Sequence, residues 1–215
     1  MKLSEVYRPR SLSDVIGQSK PLRILRGWMQ SPYSSAWLFR GGPGIGKTST
    51  ALALANDLGS LDSTQIIPCS DLGIDRAREL VRALSLRPMF GGKWNILILE
   101  ELERLSPACQ QFLKVGFEDL APRALILATS NDTTGIDPAL IQRFTPLEFT
   151  CGTDFYKPAQ EKLLELWNDA TGGDDPPKDF LKWGFDGARG YSLRVAYDRL
   201  QQELLFRSVE ETIAA

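Results

Sequence analysis

Short, almost uninterrupted apolar runs alternate along this chain with stretches in which apolar residues recur at helical spacing. Ser35–Arg40, the short Gln65–Pro68 and Pro146–Phe149 read as strands, and the apolar runs Asn95–Leu99 and Ala124–Ala128 read as buried strands, the first of them covered on both faces. Between them, Thr48–Leu58 is rich in Ala and Leu and is followed by Gly59, a residue suited to end a helix. Ile74, Ala77, Val81 and Leu84 lie on one face of a helix predicted over Ile74–Leu86. Ser106-Pro107 and Asp137-Pro138 each pair a capping side chain with a proline at the first helical position, so both open helices. Strands alternating with helices predict a parallel sheet covered by helices.

After Thr150 the pattern changes. No further buried strand is expected, and three helical stretches are: Phe155–Ala170, Pro177–Phe185 and Ser192–Glu211. Gly172-Gly173-Asp174-Asp175-Pro176 separates the first two. The expectation is an α/β domain over 1–150 and a small all-α lid over 151–215. No internal repeat or low-complexity tract is evident.

Composition narrows the chemistry. The 215 residues carry a formal charge of −2, so any nucleic-acid contact must come from local patches. Histidine is absent, which removes imidazole acid–base chemistry and leaves carboxylates, Lys, Arg or a metal. The three cysteines, Cys69, Cys109 and Cys151, are far apart in sequence and form no zinc spacing, which fits free thiols inside a cell. With no signal peptide or long apolar run, a soluble cytoplasmic protein without membrane association is expected.

Gly41 to Thr48 reads Gly-Gly-Pro-Gly-Ile-Gly-Lys-Thr, a complete phosphate-binding loop between a predicted strand and a predicted helix. Its glycines let backbone N–H groups turn inward around an oligophosphate, and the helix N-terminus faces the same anion. Gly42, Pro43, Gly44, Ile45, Gly46, Lys47, Thr48 and Ser49 are therefore candidate nucleotide contacts. Lys47 supplies a point charge for the outer phosphates, and the Thr48 hydroxyl can ligate Mg²⁺. The second strand expected at such a site is apolar and ends in acids, as does Ile96-Leu-Ile-Leu-Glu100-Glu101. Glu100 is assigned to the metal and Glu101 to activation of the attacking water.

The run Glu100-Glu-Leu-Glu-Arg-Leu105 resembles the D-E-A-D-R-L segment of AAA+ ATPases. The finer resemblance is to clamp-loader subunits, both the small subunits of replication factor C and the bacterial γ/τ type. Tyr7-Arg8-Pro9 and Val15-Ile-Gly-Gln18 are similar to their N-terminal signature, and Ser70-Asp71, Gly73-Ile-Asp75 and Arg78 to a later one. The resemblance implies an adenine site near Tyr7, Arg8, Pro9, Val15 and Ile16, with ATP and Mg²⁺ as cofactors. It places Asn131 as sensor 1, on the γ-phosphate or attacking water. Arg143, flanked by Gln142 and Phe144 where the family has a Ser-Arg-Cys motif, matches an arginine that acts on a neighbouring subunit's ATP. Arg194, in Ser192-Leu-Arg-Val-Ala-Tyr-Asp-Arg-Leu-Gln201, matches the sensor 2 arginine of the lid.

Glu100 stands where the family usually has Asp. One extra methylene against the strict octahedron of Mg²⁺ implies slow or partner-dependent hydrolysis. The family's third, collar domain has no counterpart, so a collar-less, phage-like or otherwise compact member is expected. Arg76, Arg78 and Arg82, with Arg87 and Lys93 just beyond, are candidate DNA phosphate contacts. A solvated helix face is the alternative, because Asp75–Arg78 and Glu79–Arg82 are i,i+3 pairs. The resemblance implies an ATPase of DNA replication or repair that self-associates or joins other subunits through its ATP sites. DNA and a sliding clamp, helicase or polymerase are its implied partners. Two other readings stay open: a helicase loader or transposition regulator assembling on DNA, and a slow-hydrolysing nucleotide switch for protein partners.

Overall fold

The computed structural model describes residues 2–86, 94–187 and 190–214. Five strands form one parallel sheet: β1 (Ser35–Arg40), β2 (Thr64–Pro68), β3 (Asn95–Glu100), β4 (Ala124–Ser130) and β5 (Thr145–Glu148), in the order β2-β3-β4-β1-β5. All five fall where the apolar runs predict them. Successive strand residues face opposite sides, and the two sides carry separate cores. Trp37, Phe39, Ile96, Ile98, Leu125 and Leu127 belong to one cluster; Ala36, Leu38, Leu97, Leu99, Ala124, Ile126 and Ala128 belong to the other.

Among the described residues, eight α-helices surround the sheet: α1 (Leu3–Val6), α2 (Ser19–Gln30), α3 (Lys47–Asp57), α4 (Ile74–Leu84), α5 (Pro107–Gly116), α6 (Pro138–Ile141), α7 (Thr153–Thr171) and α8 (Leu193–Ala214). Helix α2 buries Leu22, Leu25 and Trp28 and joins α3 and the lid in the first cluster. Helices α4, α5 and α6 cover the opposite face. The capping residues act as predicted: Ser106 Oγ accepts from the Cys109 amide and Asp137 Oδ1 from that of Ala139. Gly59 follows α3 with φ +61° and donates to the Asn56 carbonyl.

Three expectations need correction. No element is predicted ahead of Ser35, yet α1 and α2 lie there. Helix α4 stops at Leu84, and Ser85 and Leu86 bond to carbonyls three residues back instead of four. The helix expected over Pro177–Phe185 is only one 3₁₀ turn, Phe180–Lys182. There Phe180, Lys182, Trp183 and Phe185 all donate three residues back. A three-residue repeat brings Phe180 and Trp183 onto the same side, where both rings pack on Trp167 at 5.3 and 6.3 Å.

The first core cluster continues past Thr150. Phe155, Ala159, Leu163 and Trp167 of α7 and Ala196, Tyr197 and Leu200 of α8 join the residues that cover the sheet. Among the described residues, no helix is long and apolar enough to cross a membrane.

Candidate nucleotide-binding site

The C-terminal ends of β1, β3 and β4 lie side by side, because these strands run parallel and in register. Arg40 is paired with Ser130, and Leu99 with Ala128. The chain leaving β1 becomes the glycine-rich loop, β3 delivers Glu100 and Glu101, and β4 delivers Asn131. This is the edge of an open α/β sheet at which ligands bind. A cleft of about 480 Å³ opens there, within the usual range for small-molecule sites.

Nearly every candidate cofactor residue lines this cleft: Tyr7, Arg8, Pro9, Val15, Ile16, Pro43 through Ser49, Glu100, Glu101, Asn131 and Arg194. Gly42 contributes differently, through its carbonyl. Lys47 Nζ donates to the carbonyls of Gly41 and Gly42, both at 2.6 Å, and to Asn131 Oδ1 at 2.9 Å. All three ammonium donors are therefore engaged. The acceptors occupy the role that phosphate oxygens take in a filled loop.

The loop suits an anion. Gly44 and Gly46 hold φ +72° and +97°, which a side chain would strain. Gly46 caps α3 in that left-handed state with no side chain satisfying the helix's first amides. Those amides and the helix dipole are thus available to phosphate. For Mg²⁺ the protein offers Thr48 and Glu100 on the cleft wall. Among the described residues no group of three or more His, Cys, Asp or Glu forms a metal cage.

Burial lowers the pKa of Lys47 to about 8; nearby Glu103 opposes this and Arg194 adds to it. Phosphate favours the charged ammonium, so binding draws a proton onto Lys47 whenever it has been lost. ATP affinity is accordingly expected to be flat below about pH 8 and to fall above it. The slope approaches tenfold per pH unit up to roughly pH 10. Calorimetry at pH 9 in two buffers of different ionisation enthalpy should show proton uptake approaching one per ATP. Pure proton release on binding would contradict this.

Glu101 follows β3 in the left-handed conformation, φ 56° and ψ 62°, uncommon for a non-glycine residue and often found at functional sites. Its amide donates to Thr129 Oγ1 at 3.3 Å, and its carboxylate lies 3.6 Å from the Arg104 guanidinium. Asn131 is held from behind by Glu103, whose Oε1 accepts from its backbone amide at 3.1 Å and from Nδ2 at 3.2 Å.

The other candidates stand apart from the cleft. Arg143 Nε donates to the Lys114 carbonyl, and Nη2 to Glu118 Oε1, both at 3.2 Å. Arg76 pairs with Glu79 and also donates to Gln65, while Arg78 pairs with Asp75 and lies over the Phe112 ring. Arg82, on the last turn of α4, is not part of the cleft. Arg87 and Lys93 lie outside the described residues.

Sequence reasoning assigned no role to several residues that build the cleft. Tyr197 is three residues from Arg194 on α8 and lines the same space, a spacing that could have revealed it. Phe155, Thr129, Pro68, Ser4 and Asp14 also line it and carried no such signal. Ser192 and Leu193 meet the loop directly: the Leu193 amide donates to the Gly44 carbonyl at 3.1 Å.

A family profile described as ATPase family associated with various cellular activities (AAA) matches residues 37–150, more than half of the chain. The chain is 30% identical over 172 residues to the replication factor C small subunit of Archaeoglobus fulgidus, covering 75% of this chain and 52% of that protein. It is 31% identical over 150 residues to replication factor C subunit 3 of Saccharomyces cerevisiae, covering 67% and 44%. The chain thus spans about half the length of the curated relatives it matches. Among solved structures, the RuvB Holliday junction branch migration motor of Thermotoga maritima aligns over 95% of this chain and 67% of its own, with TM-score 0.68 and 23% identity. A DNA polymerase III gamma subunit-related protein of the same organism aligns over 70% and 52%, with TM-score 0.56 and 15% identity. At those identities the two structures speak for the fold alone. With its phosphate loop, acid-tipped strand and matching profile, the chain belongs to the AAA family of ATPases and is related to replication factor C subunits.

Proposed function

We propose that this cleft binds and hydrolyses ATP with Mg²⁺, and that the chain works as a clamp-loader-like ATPase of DNA replication or repair. The observation that carries this reading is the convergence of Lys47, Asn131, Glu100, Glu101 and Arg194 on one cleft, in a relative of replication factor C subunits. Tyr7, Arg8, Pro9, Val15 and Ile16 surround the base, and the loop from Gly42 to Ser49 cradles the phosphates. Thr48 and Glu100 hold Mg²⁺, which when bound neutralises charge on the phosphates. Glu101 accepts a proton from the attacking water. Asn131 orients that water or the γ-phosphate, and Arg194 carries the state of the γ-phosphate to a lid formed by residues 151–215.

Arg143 lies outside the cleft of its own chain and serves a neighbour's, which makes a multimer the active form. Arg76, Arg78 and Arg82 are the candidate DNA contacts on α4; the ion pairs of Arg76 and Arg78 are exposed and weak enough to exchange for phosphate.

The test combines mass measurement and turnover, with a slowly hydrolysed ATP analogue for the first and ATP for the second, each with and without primed DNA. Multimers are expected only with nucleotide, and turnover is expected to rise with DNA in a salt-sensitive way. Absence of both assembly and stimulation at low salt would overturn the clamp-loader reading. One observation favours the nucleotide-switch reading: Glu100 stands where the resembled family usually has Asp. Tight ATP binding with negligible turnover under every condition would select it.

A further inference from the structure

Gln18 is 1% exposed and begins α2 in the left-handed conformation, φ 54° and ψ 38°. A non-glycine residue is costly there, and its side chain does not cap the helix. The carboxamide instead crosses to two other elements. Nε2 donates to the Ile45 carbonyl at 3.3 Å and to the Thr150 carbonyl at 2.9 Å, and Oε1 accepts from the Thr150 amide at 3.0 Å. One side chain thus joins the phosphate loop to the segment between β5 and α7. The backbone before it is fixed as well. A Cβ on Gly17, φ +63°, would lie 2.5 Å from the Asp154 carbonyl. Pro158 leaves that carbonyl without its usual helical donor.

We propose that Gln18 is a positioning residue for nucleotide binding: it aims the phosphate loop's amides by holding the Ile45 carbonyl from outside. The peptide unit is planar and trans, so its C=O and N–H point in opposite directions. Tethering the Ile45 carbonyl to Gln18 turns the Gly46 amide the other way. The next peptide back is held likewise, since the Leu193 amide engages the Gly44 carbonyl and so directs the Ile45 amide oppositely. Two consecutive loop amides are therefore set by donors outside the loop, one from the entry to α2 and one from the lid. Because Gln18 also grips both polar groups of Thr150, a shift of the segment leading into the lid reaches the loop through this side chain. Orientation set in advance lowers the cost of ordering the loop around phosphate.

The proposal rests on the reading of the cleft as a nucleotide site, and ATP binding by the unaltered chain tests that reading separately. Gln18→Met keeps the size and removes the hydrogen bonds. It is expected to weaken ATP binding about tenfold, while adenosine, which makes no phosphate contacts, loses less than about twofold. Gln18→Glu sets a carboxylate against two carbonyls and is expected to weaken ATP further. Leu193→Pro deletes the second donor, together with the leucine side chain on the cleft wall, at the first position of α8, where proline is tolerated, and is expected to give the same selective loss. A merely structural role would lower the nucleotide-free melting temperature and leave ATP and adenosine affinity unchanged or equally reduced. Either result in Gln18→Met overturns the proposal. If that variant does not fold, ATP affinity in Leu193→Pro within twofold of the unaltered chain overturns it.

Discussion

Replacing Arg143 by alanine is expected to slow ATP turnover by about 10³–10⁵-fold while leaving ATP binding intact. The size is that of an arginine supplied to the transition state of phosphoryl transfer. The location decides the manner. Arg143 follows α6 and is bound to the Lys114 carbonyl and Glu118, away from the cleft. Its proposed effect is therefore one exerted on another molecule. Lys47→Ala and Arg143→Ala should each be inactive alone, the first unable to bind ATP and the second unable to stimulate its neighbour. Mixed, they should regain part of the activity, because an Arg143→Ala cleft then meets an intact Arg143 on a Lys47→Ala partner. The Glu118 pair is partly exposed, so its loss should change stability little. Turnover in Arg143→Ala within threefold of the unaltered chain, or no recovery on mixing, would show that Arg143 does not act in trans.

Glu101→Gln is expected to lower single-turnover hydrolysis by about 10²–10⁴-fold, with ATP affinity unchanged or modestly tighter. Glutamine keeps the length but cannot take the proton of the attacking water. The left-handed backbone and the Thr129 hydroxyl hold the Glu101 main chain in place. Its side chain, 54% exposed, is tied among the described residues only to Arg104, at 3.6 Å. A weak, solvent-screened pair leaves that carboxylate free to swing over the cleft when ATP and water are present. Rapid-quench measurement separates the chemical step from product release. A rate within threefold of the unaltered chain would remove Glu101 from the proposed role.

Strand positions were legible because buried parallel strands write continuous apolar runs, and Asn95–Leu99 and Ala124–Ala128 are nearly pure examples. Caps at Ser106 and Asp137 were legible because their chemistry is local. The 3₁₀ turn at Phe180–Lys182 was not, since its geometry follows from fitting two rings onto Trp167, a residue 13 positions earlier than Phe180. At the cleft, the loop and the acids carry a motif, and resemblance supplied Asn131 and Arg194. The link from Asn131 to Glu103 and the three bonds of Gln18 depend on which strands are neighbours, and residue spacing does not encode that. Gln18 stands within the Val15-Ile-Gly-Gln18 resemblance, but its partners are 27 and 132 residues away.

The apolar cluster that runs unbroken from the sheet into α7 and α8 limits how the lid can respond to nucleotide. A lid joined to the sheet by a bare linker could swing through a wide arc at little cost. Here, opening would wet Phe155, which packs against Gly17, and Tyr197, which packs against Tyr7, both nearly fully buried, and burial of such side chains contributes on the order of 1.5–3 kcal/mol each. Nucleotide-driven motion should therefore be a shear, with helices sliding by small steps over a core that stays closed. In that regime a displacement of an ångström or so at Arg194 carries the message, and the chain trades reach for stiffness.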